Sequence, residues 1–245
     1  MIFLNRHILL STLFAFSILN STFSQDVYSK IDSIKSEILK LDNQKNSLLS
    51  ELETFEFSRN KLELIEYVLP KLQSEEKLIE HKAMFLVYDE MHEQAKWVAH
   101  KISTNIIEGT QGRSNDFRED TLILSGSAQE KDYFIKTTNT NGSTSYDGFG
   151  YDRGHLAPSA DFRWSKTALS ESYFYSNMSP QLPEFNRDCW AKLENSLNNY
   201  VIEKNQSLFI VTGPVLSSNL KKIERSINNV SIPNYFFKAV LDINN

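Results

Sequence analysis

The segment Asp152-Arg153-Gly154-His155 sets an imidazole two positions from a guanidinium, with a glycine between them. A neutral imidazole can take a proton from water near neutral pH. A guanidinium can hold a phosphate through a bidentate fork. Together they suit attack of an activated water on a phosphate ester. Gly154 is expected to let the backbone turn tightly between the two side chains. A histidine taken alone reads most simply as a hydrogen-bonded structural residue; the arginine beside this one turns the reading toward chemistry.

A second cluster, Asn177-Met178-Ser179-Pro180-Gln181, begins twenty-two residues after His155 and leads to Asn186, Trp190 and Glu194. Asn186 and Glu194 are eight apart, just over two helical turns, so both can lean toward one face. Magnesium takes oxygen ligands and keeps several waters. An amide oxygen plus a carboxylate holding the metal's waters would suit it. The same two residues also read as a helix cap and a solvated surface acid.

These groups need a scaffold. Residues 84–88, 96–102, 208–212 and 235–241 are short apolar runs that predict strands, the third ended by Gly213-Pro214. A short strand is expected just before Arg153. Residues 170–176 read as a helix end or a strand. Residues 185–200 predict a helix with Trp190, Leu193 and Leu197 on one face. Residues 103–150 are rich in Ser, Thr, Asn, Asp and Gly, and read as a long surface connection. The sum is an α+β fold with a mixed or antiparallel sheet core.

A long helix is expected ahead of it, over residues 28–69. Ile34, Leu41, Leu48, Phe55, Leu62 and Leu69 fill the d positions of a heptad pattern, but the a positions include Lys45, Arg59 and Glu66. The segment reads equally as a homodimer seam and as an amphipathic helix packed on its own domain. Pro70 should end it. Before it, residues 1–24 read as a secretory signal peptide: Arg6 and His7, then an apolar run from Ile8 to Leu19, then Thr22 and Ser24 ahead of a cut before Gln25. That predicts a secreted or periplasmic protein with no membrane span once the leader is removed; an uncleaved anchor is the other reading. The domain plan is therefore a leader over 1–24, a helical segment over 25–80 and a catalytic domain over 81–245.

Composition narrows the classes. The sole cysteine, Cys189, excludes an internal disulfide and a cysteine-cluster zinc site, and His81, His92 and His100 lack ligand spacing. The formal net charge of −5 divides into −4 over residues 25–80 and −2 over 81–245, with the leader carrying the single positive charge. A tight static binder of nucleic acid would show a basic face. A near-neutral domain must instead focus its field through a few arginines.

Taken together, Asp152-Arg153-Gly154-His155 with Leu156-Ala157-Pro158, the 177–181 cluster, Asn186, Trp190 and Leu193-Glu194 resemble the ββα-metal (His-Me finger) family of DNA/RNA non-specific endonucleases, which includes endonuclease G. Lys96-Trp97-Val98-Ala99, residues 113–120, Val211-Thr212-Gly213-Pro214 and Ile232-Pro233 extend the likeness over about residues 84–245. The resemblance implies that His155 is the general base and that Asn186 is the direct protein ligand of one Mg²⁺, for which Mn²⁺ can substitute. It implies that Glu194 orients the metal's waters, that Arg113 and Arg153 hold the scissile phosphate, and that Asn177 supports the histidine. DNA and RNA would be substrates, gripped by phosphate rather than base edges.

Two departures stand out. Asn198 occupies the place where many members carry an arginine one turn after the glutamate. The family domain usually continues past residues 235–241 with more sheet and a helix, whereas this sequence stops at Asn245. A truncated record and a short protein both fit. The rival reading is a non-catalytic envelope protein with a coiled coil and a degenerate nuclease domain.

Overall fold

A computed structural model describes residues 4–107 and 109–244, with side chains from Gln25 onward apart from Ile107. The side chains of the expected leader lie outside the described residues. In chain order the elements are helix α1 (Leu4–Tyr67), strands β1 (Leu78–Glu80), β2 (Met84–Asp89), β3 (Gln94–Ile102), β4 (Phe134–Thr138), β5 (Thr144–Gly148) and β6 (Asp152–His155), and helix α2 (Lys166–Glu171). Strand β7 (Met178–Gln181) follows, then a π-helical segment (Phe185–Trp190) that runs into α3 (Ala191–Lys204), and strands β8 (Leu208–Pro214) and β9 (Phe236–Leu241). The chain divides into two compact units, Met1–Phe55 and Glu56–Asn245.

In the first unit Ile34, Leu41 and Leu48 are exposed along α1. Among the described residues no helix is long and apolar enough to cross a membrane. In the second unit the buried stripe of α1 is not the heptad seam. Asn60 and Leu64 are buried and Phe57 packs against the core, whereas Leu62, a d position, stays exposed. The helix stops at Tyr67, where the N–H groups of Val68 and Leu69 both reach the carbonyl of Leu64. Leu69 precedes Pro70, and a residue before proline is pushed out of the helical region.

The second unit is built on an antiparallel sheet of order β1-β2-β3-β8-β9. Successive strand residues point to opposite faces. Phe85, Val87, Trp97, Ala99, Phe209 and Val211 form one face, closed by Leu64 of α1. Met84, Leu86 and Val98 face the other way, against Leu156, Ala157, Phe162 and Leu169. Ile102, Leu208 and Ile210 meet Val201 of α3. Both faces are covered, so these strands read as unbroken apolar runs.

Several expectations change. Residues 103–150 include the β4–β5 hairpin, which its polar residues hid. Leu193 is exposed, and only Trp190 and Leu197 of the expected helical face turn inward. Strand β8 also continues through Gly213-Pro214 instead of ending there. Gly213 has a packing reason: a Cβ there would lie 2.3 Å from the Lys96 carbonyl oxygen and 2.8 Å from the Phe237 ring. Gly213→Ala should lower the unfolding free energy by about 1–3 kcal/mol, a typical overpacking penalty. Urea denaturation followed by tryptophan fluorescence measures this, since Trp97, Trp164 and Trp190 all lie in the second unit.

Candidate active site

Strands β6 and β7 pair antiparallel, with Asp152 opposite Gln181, Gly154 opposite Ser179 and His155 opposite Met178. The π-helical segment and α3 follow directly. Gly154 lies within this extended pair and makes no turn. Its missing side chain admits Gln181, whose side-chain atoms lie 2.2 Å from where a Cβ would sit. This corrects the turn expected from sequence.

The structure brings His155, Arg153, Arg113, Asn186 and Glu194 to the lining of one groove of about 1470 Å³. The His155 ring meets Tyr173 edge-on at 5.1 Å between centroids and Phe117 at 5.9 Å. Its Nε2 is sealed from solvent with no hydrogen-bond partner among the described residues, which leaves Nδ1 to meet the groove. Burial, then the charges of Arg113 and Arg153, push the imidazole down to about 3. It is therefore neutral throughout the physiological range, with its lone pair unprotonated.

The Arg153 guanidinium carbon lies over the Phe117 ring, 3.6 Å from its centroid, and its Nη1 donates to the Tyr175 hydroxyl at 3.4 Å. These contacts hold the guanidinium plane and leave other N–H groups for an anion. Arg113 enters from the loop before β4 and donates from Nε to the Tyr173 hydroxyl at 3.4 Å.

Asn186 sits in the π-helical segment, a widened turn of a kind frequent at functional sites. Its Nδ2 donates to Asp152 Oδ2 at 2.9 Å, which turns the amide oxygen away from that carboxylate. Arg187 closes a fork on the same group, from Nε at 2.8 Å and from Nη2 at 2.6 Å. Burial works against ionisation of Asp152, but the Arg187 and Asn186 hydrogen bonds outweigh it and hold the carboxyl below its usual range. On the next turns Glu194 has Oε1 buried without a hydrogen-bond partner among the described residues. Burial pushes its carboxyl up to about 7; Lys238 pulls the other way and Asp161 adds to the rise. The Lys238 ammonium lies 3.8 Å from Glu194 Oε1 and donates to Thr212 Oγ1 at 2.8 Å.

This donor set fits a hard divalent cation that keeps most of its waters. Asn186, with its amide held by Asp152, and Glu194, whose Oε1 has the Lys238 ammonium nearby but no hydrogen bond among the described residues, both line the groove.

Asn177 supports the histidine strand from behind and does not face the groove. It is fully buried. Its Oδ1 accepts from Ala157 N–H at 2.9 Å, and its Nδ2 donates to the carbonyls of Ala157 and Ser172 at 2.9 and 2.8 Å. It clamps the backbone just after His155 and has no side-chain atom left for substrate. Three further histidines are held in hydrogen bonds: His81 with Asp120, His92 with Ser231 and His100 with Asp161. Sequence reasoning missed the roles of Asp152, Phe117 and Lys238. All three lay inside stretches already singled out, but their partners are distant in the chain.

Two strands feeding a helix, with His155 on the first strand and Asn186 at the helix entry, define a fold of the ββα-metal class. A family model for DNA/RNA non-specific endonucleases matches residues 62–245. Human mitochondrial endonuclease G is 30% identical over 188 residues, covering 73% of this chain and 58% of the relative. The mitochondrial nuclease of Saccharomyces cerevisiae is 29% identical over 168 residues, covering 63% and 47%. A nuclease of Nostoc is 31% identical over 144 residues, covering 59% and 48%. The solved EndoG/EndoGI complex shares the fold at a TM-score of 0.55 and 23% identity, over 75% of this chain and 73% of that one. The chain belongs to the DNA/RNA non-specific endonuclease family, and it spans about half the length of these sequence relatives.

The depressed His155 pKa has a measurable sign. Stability from the neutral ring is fully present above the unfolded value of 6.5 and is lost as the pH falls from there toward about 3. In imidazole-detected NMR, His155 should keep its neutral signature between about pH 8 and 5. A midpoint near 6.5 would contradict the burial and charge argument.

Proposed function

We propose that this chain is an exported, Mg²⁺-dependent nuclease that hydrolyses DNA and RNA without sequence preference. The observation that carries the reading is the shared groove: a neutral histidine, two arginines and an oriented asparagine amide line it together. His155 takes a proton from the attacking water at Nδ1 and carries its own proton on Nε2. Arg113 and Arg153 hold the phosphate and offset its growing negative charge. Asn186 would hold the metal through its amide oxygen, with Glu194 orienting the waters around it. The metal, when bound, supplies Lewis-acid stabilisation of the phosphate and leaving oxygen. Contacts to phosphate rather than to base edges support low sequence preference. Export rests on the charged, apolar and small-residue pattern of residues 1–24.

The test uses exported protein, whose N-terminal mass should begin at Gln25, with plasmid DNA and RNA. Cleavage of both should require Mg²⁺ and stop with chelator. His155→Ala should lose about a hundredfold to ten-thousandfold in rate at every Mg²⁺ concentration. Asn186→Ala should recover part of its loss at high Mg²⁺. Recovery of the histidine variant instead would reverse the assigned roles, and undiminished cleavage in excess chelator would remove the metal from the reading.

A further inference from the structure

The β4–β5 hairpin is a wall of the groove that the roles above leave unused. Its register sets Phe134 opposite Gly148 and Lys136 opposite Tyr146. Residues at these positions share one face of a two-stranded ribbon. All four line the groove that holds His155. The other face carries Ile135 opposite Asp147, and Asp147 is held by Arg225 at 2.6 Å. The hairpin is thus tethered from behind, with its aromatic face toward the site.

Phe134 leans on the buried cluster of Tyr133, Tyr175 and Met178, but the outer part of the face is not explained by a hydrophobic core. Every residue of β5 is exposed, and Tyr146 is 61% exposed. Its ring stands edge-on to Phe134 at 5.4 Å between centroids. The Phe134 ring in turn lies 5.1 Å from the Arg153 guanidinium. An aromatic pair therefore continues outward from the phosphate-binding arginine, with an ammonium beside it. Gly148, opposite Phe134, faces open space, so no side chain from the paired strand covers the ring there. Aromatic faces alternating with cations are what a single nucleic-acid strand requires, because any base can stack and every linkage carries a charge.

We propose that the β4–β5 hairpin is a nucleotide-binding arm. Tyr146 stacks on a base flanking the cleaved bond, Phe134 backs that stack, and Lys136 takes the neighbouring phosphate. This rests on the nuclease reading for the identity of the polymer. Its consequence is a preference for unpaired strands: in a duplex each base face is covered by its neighbours, and exposing one requires unstacking.

The test measures binding and cleavage separately on the full-length chain. Fluorescence anisotropy with a labelled oligothymidylate, and with its duplex on oligoadenylate, is read in chelator so that no hydrolysis occurs. Tyr146→Ala should weaken single-strand binding about tenfold and leave duplex binding nearly unchanged, while Tyr146→Trp retains the affinity. Lys136→Gln should weaken binding and reduce the salt slope by about one ion. Cleavage rates in Mg²⁺ should show the same loss of single-strand preference in Tyr146→Ala. If the wild type cleaves but Tyr146→Ala keeps its single-strand-to-duplex ratio in both assays, the arm is refuted and the nuclease reading stands. If the binding pattern is as expected and no protein cleaves, the nuclease reading fails and the arm stands.

Discussion

The carboxylate of Asp152 is the constraint on which the site depends. It sits at the start of β6, three residues before His155, and accepts both the Asn186 amide and the Arg187 fork. Hydrogen bonds to an ionised acceptor are short and strong, and a guanidinium fork also fixes direction. One side chain therefore links the strand that carries the base to the helical segment that carries the amide. Without it the Asn186 side chain could rotate either its nitrogen or its oxygen toward the groove. The widened π turn around Asn186 has no side-chain cap at its start; Phe185 and Trp190 pack it on Phe236, and the Asp152 cross-link ties it to the strand that carries the histidine.

Around that link, charges of both signs are arranged so that few of them cancel at the wrong place. Burial, with the charges of Arg113 and Arg153 added, keeps the imidazole neutral, and both guanidiniums line the groove where an anion would sit. Burial pushes the Glu194 carboxyl up to about 7, and a divalent cation beside it would favour the ionised form. Lys238 fills the buried space behind Glu194 and is itself pushed down by burial. The near-neutral charge of residues 81–245 is thus compatible with a locally positive groove, because the cations are placed rather than numerous.

The strands of the main sheet were legible because both of their faces are buried, which leaves contiguous apolar runs at residues 84–88, 96–102 and 208–212. The Asp152-Arg153-Gly154-His155 motif was legible because its members are contiguous. What escaped notice depends on distant pairing. Asp152 meets Asn186 across 34 residues, and nothing local marks that contact. Gly154 looked like a turn because glycine usually marks one; here it admits the side chain of Gln181. Asn177 entered through the resemblance as a support for the histidine; what sequence did not show is that it acts on the backbone, with both side-chain polar atoms bonded to Ala157 and Ser172. The β4–β5 hairpin carries no apolar alternation, since only Phe134 at its base packs on a core and the rest of both strands is exposed.

The most direct measurement is metal affinity when Asp152 is removed and Asn186 is left intact. Mn²⁺ binding by electron paramagnetic resonance on the wild type, Asp152→Ala and Asn186→Ala, each checked for native near-ultraviolet dichroism, isolates the orienting contact from the ligand. Loss of a group that orients a metal ligand typically lowers affinity about ten- to hundredfold. The account expects Asp152→Ala to fall by that amount, approaching Asn186→Ala. Wild-type affinity in Asp152→Ala, beside a weakened Asn186→Ala, would show that the amide needs no such anchor and would contradict the account.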